Sequence, residues 1–432
     1  MNIVDRNELK TERQSFSFLH FFGAGVLDQI MLSGASFIAA LALIRYTSDV
    51  AYGQFVLAQS AIVLMVSAQS AWLTGPVTIL APGKPADVRA QMIGYLGASQ
   101  TRFLRRSTLV LLVIPVAAYL LRIWSASNAL AVGGAILAAG PALQNEYRRR
   151  MLLVYSRPRS MMAADAIYVV VFLVGIALAL LSPFPGGFLA IVALGTASLA
   201  GGIVTHRMLA EEPGWKAGNA RPFWLEIRTL GLWSAIGAVT YWLFAQSWNY
   251  VLATRLGLSA VAQVSAVRLV VMPVLVFQTG IQNVLYPVAA NWLASHGSAH
   301  MLRRLAVLTV AILALDIIYL AIIWILRDWV LVDLMHKHIQ DQDRLLILWA
   351  CVALVFLPRE VLQAALSAFK RLKSMAWLIA LSAIVSLTVM WVGVPIWGTP
   401  MVLIGQLAGE CVNLLGLLLL LVGQLRQPPA VT

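Results

Sequence analysis

The sequence predicts an all-α polytopic membrane protein with about 12 transmembrane helices, arranged as two parallel six-helix bundles around a central cavity. Three observations predict it. Of the 432 residues, 60% are hydrophobic and 11% charged, against roughly 45–50% apolar and 25% charged in a soluble chain. Apolar stretches of about 20 residues, the length a helix needs to cross a bilayer core, recur from His20 to the C-terminus. The second half of the chain repeats the pattern of the first.

The helices are expected over 18–45, 52–80, 106–124, 128–151, 161–181, 186–207, 229–255, 260–289, 304–326, 343–369, 374–396 and 399–424. The polar start, MNIVDRNELKTERQSFSFL, lacks the apolar core and small-residue cleavage site of a secretory signal, so the first span is expected to be an uncleaved anchor. Basic segments separate the spans on one side only. Arg6, Lys10 and Arg13 precede helix 1; Lys84, Arg89, Arg102, Arg105 and Arg106 follow helix 2; Arg148, Arg149, Arg150, Arg157 and Arg159 follow helix 4. Arg207, Lys216, Arg221, Arg228, Arg303, Arg304, Lys370, Arg371, Lys373 and Arg426 continue the series, while the opposite loops hold Arg45, Arg122, Arg255, Arg327, Lys337 and Arg344. With an even number of spans, the positive-inside rule places both termini in the cytoplasm. Trp124, Trp292, Trp329 and Trp397 near span ends fit an interfacial aromatic belt.

The formal charge of +13 is distributed in these short clusters between apolar spans, as a protein facing anionic lipid would place it, and no nucleic-acid partner is expected. Cys351 and Cys411 both fall in apolar segments and indicate neither a disulfide framework nor a zinc site.

The repeat is read from four pairings in register. RPRSMMAADAIYVVVFLVGIAL from Arg157 matches RLKSMAWLIALSAIVSLTVMWV from Arg371, with Glu146 and Glu360 at the same upstream offset. LIRYTSDVAYGQFVLAQ pairs with ATRLGLSAVAQVSAVRL, Pro76 with Pro287, and LRRSTLVLLV with LRRLAVLTVA. The domains expected are an N-terminal six-helix lobe over 1–210, a cytoplasmic linker over 211–228 and a C-terminal six-helix lobe over 229–432. Two like-oriented bundles flanking a cavity suit alternating access.

Polar groups inside spans are functional candidates, because burying them in hydrocarbon is costly. Arg268 stands out within SAVRLVVMPVLVFQ, near mid-membrane in helix 8. It reads either as an ion-pair partner for a buried acid or as an anion-binding group. Asp28, Glu146, Asp165, Asp316, Glu360 and Glu410 are the acids within or at the ends of spans. Asp28 is the candidate for proton or Na⁺ coupling, with a hydrogen bond to a neighbouring helix as its structural alternative. Glu146 and Glu360 read as ion-pair partners of the basic stretches that follow them. Gln54, Gln59, Gln69, Gln246, Asn249, Gln278, Gln282 and Asn283 put amides on helices 2, 7 and 8, as sugar contacts or interhelical glue. The HKH at His336, near Asp333, Asp341 and Asp343, has no defined ligand spacing and reads as a solvated loop. Without a P-loop or metal-ligand set, no cofactor is expected.

The acid-then-basic ends of helices 4 and 10, NEYRRRMLLVYSRPRS and REVLQAALSAFKRLKS, together with the 12 spans, the two halves and the basic loops, give the chain its family likeness. It resembles the polysaccharide-transporter (Wzx-like) flippases, of one superfamily with lipid II flippases and multidrug and toxin extrusion antiporters. The resemblance implies translocation of a polyprenyl-diphosphate-linked oligosaccharide across a bacterial inner membrane for surface polysaccharide synthesis, by a non-enzymatic transporter. Lipid-linked oligosaccharide, membrane lipid, and polysaccharide polymerase and export proteins are the partners it implies. In that reading Arg268, Arg45 and Arg255 meet the diphosphate, and Gln59, Gln246, Asn249 and Gln278 meet the glycan. The alternatives are a cation-coupled multidrug antiporter and, third, a membrane glycan polymerase or ligase, which would carry a larger outer loop than 327–342.

Overall fold

The computed structural model describes residues 27–426, apart from residues 213, 214, 216, 217, 338 and 340 and the side chain of Asn283. The predicted start of helix 1 at 18–26 and His338 of the HKH lie outside the described residues.

The chain is helical almost throughout. The helices are α1 (Leu27–Tyr46), α2 (Asp49–Gly83), α3 (Ala86–Leu120), α4 (Ala126–Val154), α5 (Pro158–Leu181) and α6 (Gly186–Ala210). Then come α7a (Arg221–Gln246) and α7b (Trp248–Arg255), separated at Ser247. The segment Leu258–Ile325 is two helices, α8 and α9, divided by Gly297, whose φ of 79° breaks the helical path. It is followed by α10 (Gln342–Ala368), α11 (Leu372–Trp397) and α12 (Pro400–Leu425). Among the described residues, 10 helical segments are long and apolar enough to cross a membrane, with Leu258–Ile325 counted once. α7a is not among them: Arg221, Glu226 and Arg228 occupy its first turns, and Thr, Trp, Ser, Tyr and Gln dilute the rest of it.

Several boundaries differ from expectation for identifiable reasons. α3 begins at Ala86, 20 residues before the predicted 106. Its early turns are amphipathic, with Ala90, Met92, Ile93, Gly94 and Leu96 buried and Arg102, Arg105 and Arg106 exposed, so a segment read as a basic loop is a helix with one apolar face. Pro115 lacks an N–H and its ring crowds the preceding turn, and α3 is interrupted at Leu112. α4 runs from Ala126 to Val154, a few residues beyond the expected 128–151 at each end, and Arg148, Arg149 and Arg150 lie in its last two turns. A π-helical turn at Ser70–Thr74 precedes Pro76 in α2, a usual accommodation of a proline inside a helix. A second π turn, the 6 residues Trp329–Leu334, lies within the predicted outer loop. Residues 221–228 of the predicted linker are the first turns of α7a.

The chain forms two compact units. The first comprises the chain up to Ala40 and Ala61–Ala235; the second comprises Leu41–Ser60 and the chain from Ile236 onward. Within the first, α6 packs against α4 and α5; within the second, α12 packs against α10 and α11, so the packing of the last three helices is repeated. Small residues permit the close approach: a Cβ on Gly195 of α6 would come 2.9 Å from the Cβ of Ala138 on α4. Large apolar side chains such as Val110, Leu181, Ile325 and Leu419 face outward, the arrangement a hydrocarbon solvent allows and water does not.

Candidate functional site

Two arginines of the second unit stand in apolar helices with opposite surroundings. Arg268 lies on α8, 10 residues from Leu258, or about 15 Å at 1.5 Å per residue. Its guanidinium carbon is 6.0 Å from the ring centroid of Trp248 and 5.7 Å from that of Trp349, within cation–π range of both. The two indoles meet edge to face at 5.6 Å. Trp349 is fixed by donating from Nε1 to the carbonyl of Val264 at 3.3 Å, one turn before Arg268 on α8. Tyr52 and Tyr241 are within electrostatic reach. Among the described residues no carboxylate pairs with Arg268, and its shielded Nε has no hydrogen-bond acceptor. A guanidinium always carries its charge, so this cage presents a positive charge that no acid among the described residues neutralises.

Arg359, on α10, is the opposite case. It is fully buried, pairs with Glu360 and with Glu410 of α12 (Nε to Oε2 2.9 Å), and lies against Phe356 and Phe244. Glu360 also accepts from Gln282, and Gln406 donates to Glu410 at 3.3 Å. Sequence reasoning passed over Arg359, although an arginine after Pro358 in an otherwise apolar run was a visible signal. Glu360 was expected to pair with the later basic stretch at Lys370; it pairs instead with its own neighbour.

The first unit holds a matching cluster. Arg149 of α4 pairs with Asp28 of α1 (2.5 Å), Asp165 of α5 (2.6 Å) and Glu146 (3.3 Å), and Arg150 holds Glu146 at 2.7 Å. Glu146 thus pairs with the basic residues that follow it, at i+3 and i+4. Asp28 has the structural partner weighed as its alternative, yet its buried Oδ1 has no hydrogen-bond partner among the described residues. Three carboxylates face two guanidiniums here, and two face one around Arg359.

The remaining predicted residues divide. Gln278 is buried and donates to Asp316 of α9 (2.7 Å) and the carbonyl of Ala353 on α10 (3.1 Å), which is interhelical glue. Asn249 donates to the carbonyl and side-chain oxygens of Gln246 (3.1 and 3.2 Å), bridging the break between α7a and α7b. Gln59 is partly buried and has no hydrogen-bond partner among the described residues. Arg45 donates to the carbonyl of Leu334 at 3.0 Å and lies over Tyr46. Arg255 stacks on Trp391 with its guanidinium carbon 3.9 Å from the ring centroid.

No family model and no curated protein matches the chain. Solved structures do. An inward-facing multidrug resistance MATE family transporter of the MOP superfamily aligns with a TM-score of 0.72 and 13% identity, over 92% of this chain and 94% of that one. The fold is that of the MOP-superfamily transporters. The lipid II flippase MurJ, in an inward closed conformation, aligns with a TM-score of 0.69 and 10% identity over 94% of this chain and 87% of its own. A MOP-superfamily transporter from Pyrococcus furiosus, described as having a binding pocket of reverse polarity, aligns with a TM-score of 0.61 and 13% identity over 94% and 96%. The shared fold is thus a multi-pass helical one, found in proteins described as a multidrug transporter, a lipid II flippase and a transporter with a pocket of reverse polarity.

Proposed function

We propose that this chain is an inner-membrane flippase that moves a polyprenyl-diphosphate-linked oligosaccharide by alternating access, for surface polysaccharide synthesis. The observation that carries the reading is Arg268: a permanent cation in an apolar helix, positioned by two tryptophans, with no acid of its own among the described residues. A diphosphate supplies the missing negative charge and enough acceptor oxygens for a planar fork of N–H donors. Gln59, with no hydrogen-bond partner among the described residues, is the amide best placed to serve the glycan in this reading; Gln278 and Asn249 donate to neighbouring groups, and each keeps a buried side-chain oxygen with no hydrogen bond among the described residues. Arg45 and Arg255 remain secondary anion contacts in this reading.

Coupling is assigned to the first unit. With three carboxylates against two guanidiniums, and Asp28 and Asp165 both drawn to Arg149, the cluster has room for an exchangeable proton or Na⁺. The same cluster favours the second reading, a cation-coupled multidrug antiporter, for which an unneutralised arginine in the cage is unhelpful.

The test is replacement of Arg268 by Ala and by Lys in cells that depend on this chain for surface glycan. The expected outcome is loss of glycan with R268A and partial retention with R268K, at equal protein levels. Normal glycan with both variants overturns the anion site; drug resistance on overexpression with no glycan defect on deletion favours the antiporter.

A further inference from the structure

α4 ends at Val154, and the next residues make a tight helix-terminating turn. Ser156 has a φ of 55°, its N–H donates to the carbonyl of Leu153 (2.9 Å), and the N–H of Arg157 donates to that of Leu152 (2.9 Å). Tyr155 and Arg157 are therefore fixed on either side of it. The second unit repeats the turn: Lys370 has a φ of 60°, with Lys370 and Arg371 donating to Ser367 and Leu366 at 2.9 and 3.1 Å. The residue matching Tyr155 there is Phe369. What the first unit adds is a hydroxyl.

That hydroxyl is shielded from solvent and has no hydrogen-bond partner among the described residues. Arg89, near the start of α3, sits with its guanidinium carbon 5.4 Å from the centre of the Tyr155 ring. Its Nε is likewise shielded without an acceptor, and among the described residues it pairs with no carboxylate. Glu212 is already matched by Arg157 at 2.5 Å. Burial, and then the charge of Glu212, push the Tyr155 phenol above its ordinary value against the pull of Arg89 and Arg157, so it keeps its proton and acts as a donor at neutral pH. Leaving such buried donors unsatisfied destabilises the fold. One oxyanion would satisfy both and neutralise Arg89.

We infer that Arg89 and Tyr155 form a binding site for the phosphate group of an anionic ligand, at the end of the first unit that the basic segments place on the cytoplasmic side. A phosphate offers oxygens to the arginine fork and to the phenol at once, which a single carboxylate does less readily. Arg102, Arg105 and Arg106, exposed further along α3, add attraction for anionic lipid. A phospholipid headgroup and free phosphate share the chemistry, and the site is independent of the Arg268 cage.

The experiment compares the full-length wild type with R89Q and Y155F. Native mass spectrometry reads binding of phosphatidylglycerol against phosphatidylcholine, and thermal unfolding reads inorganic phosphate against chloride at equal ionic strength. Wild type is expected to bind its anionic partner about tenfold more tightly than either variant, the worth of a hydrogen bond to a charged group. A phosphatidylglycerol preference lost in both variants identifies a lipid headgroup; stabilisation by inorganic phosphate lost in both identifies free phosphate. Y155F keeps the ring that packs the turn, so it decides the question if R89Q fails to fold. Equal behaviour of wild type and Y155F in both arms overturns the proposal.

Discussion

Arg359 and Arg268 belong to the same unit and both sit in apolar helices, yet one is answered by two carboxylates and the other by two indole rings. The difference teaches that an arginine in an apolar helix is not in itself a ligand site. What matters is whether the protein supplies the counter-charge. Where it does, the arginine belongs to the scaffold; where it does not, the arginine is available to a substrate. The sharpest way to break this comparison is to remove each cation and measure stability. R359Q leaves Glu360 and Glu410 buried together without a guanidinium, and is expected to lose about 3–5 kcal/mol, the cost of stranding half of a buried ion pair. R268Q strands no acid and sheds the desolvation cost of the cation, so its unfolding temperature should stay close to wild type. Thermal unfolding of both proteins in one detergent reads the difference directly. Equal losses would remove the distinction.

The first unit sharpens the same point, because its arginine answers more acids with less burial. Arg149 holds Asp28 and Asp165 and shares Glu146 with Arg150, and its side chain is 14% exposed against 0% for Arg359. R149Q is therefore expected to cost less than R359Q, about 2–3 kcal/mol, since Arg150 still holds Glu146 and water reaches the cluster. The double variant R149Q/D28N should recover part of that loss by removing one stranded carboxylate. A double variant no more stable than R149Q would show that Asp28 and Arg149 are not coupled, and that Asp28 is free for ion exchange alone.

Much of this architecture was legible in the sequence. The all-helical membrane fold, the repeated packing of the last three helices of each unit and the pairing of Glu146 with the basic residues after it follow from local pattern: apolar length, internal repetition, and i+3 and i+4 contacts within one helix. Long-range partners do not follow from local pattern. Arg149 looked like one of five basic residues closing helix 4, because nothing in RRR says that the middle one turns inward towards Asp28 and Asp165 while Arg150 remains half exposed. The helical start of α3 was hidden because its small and polar residues (Gly94, Gly97, Ser99, Gln100) break the apolar run, although Ala90, Ile93, Gly94 and Leu96 mark a buried face. Arg268 was visible as a charge. Its cage was not, since Trp248 and Trp349 come from α7b and α10, and only the fold brings them to α8.

The cage permits the finest test. If Arg268 binds an anion, the indoles matter because they hold the guanidinium in one place, and Trp349 is itself held by its hydrogen bond to the carbonyl of Val264. W349F keeps an aromatic face for the cation but removes that bond, at a cost to stability of about 1 kcal/mol. Preorganised charge is worth more than mobile charge, because less ordering is needed when the ligand arrives. W349F should therefore lower transport more than its small loss of stability explains, while R268Q abolishes transport with no loss of stability to account for it. Transport by W349F that merely tracks its stability would assign the tryptophan to packing and leave Arg268 acting alone.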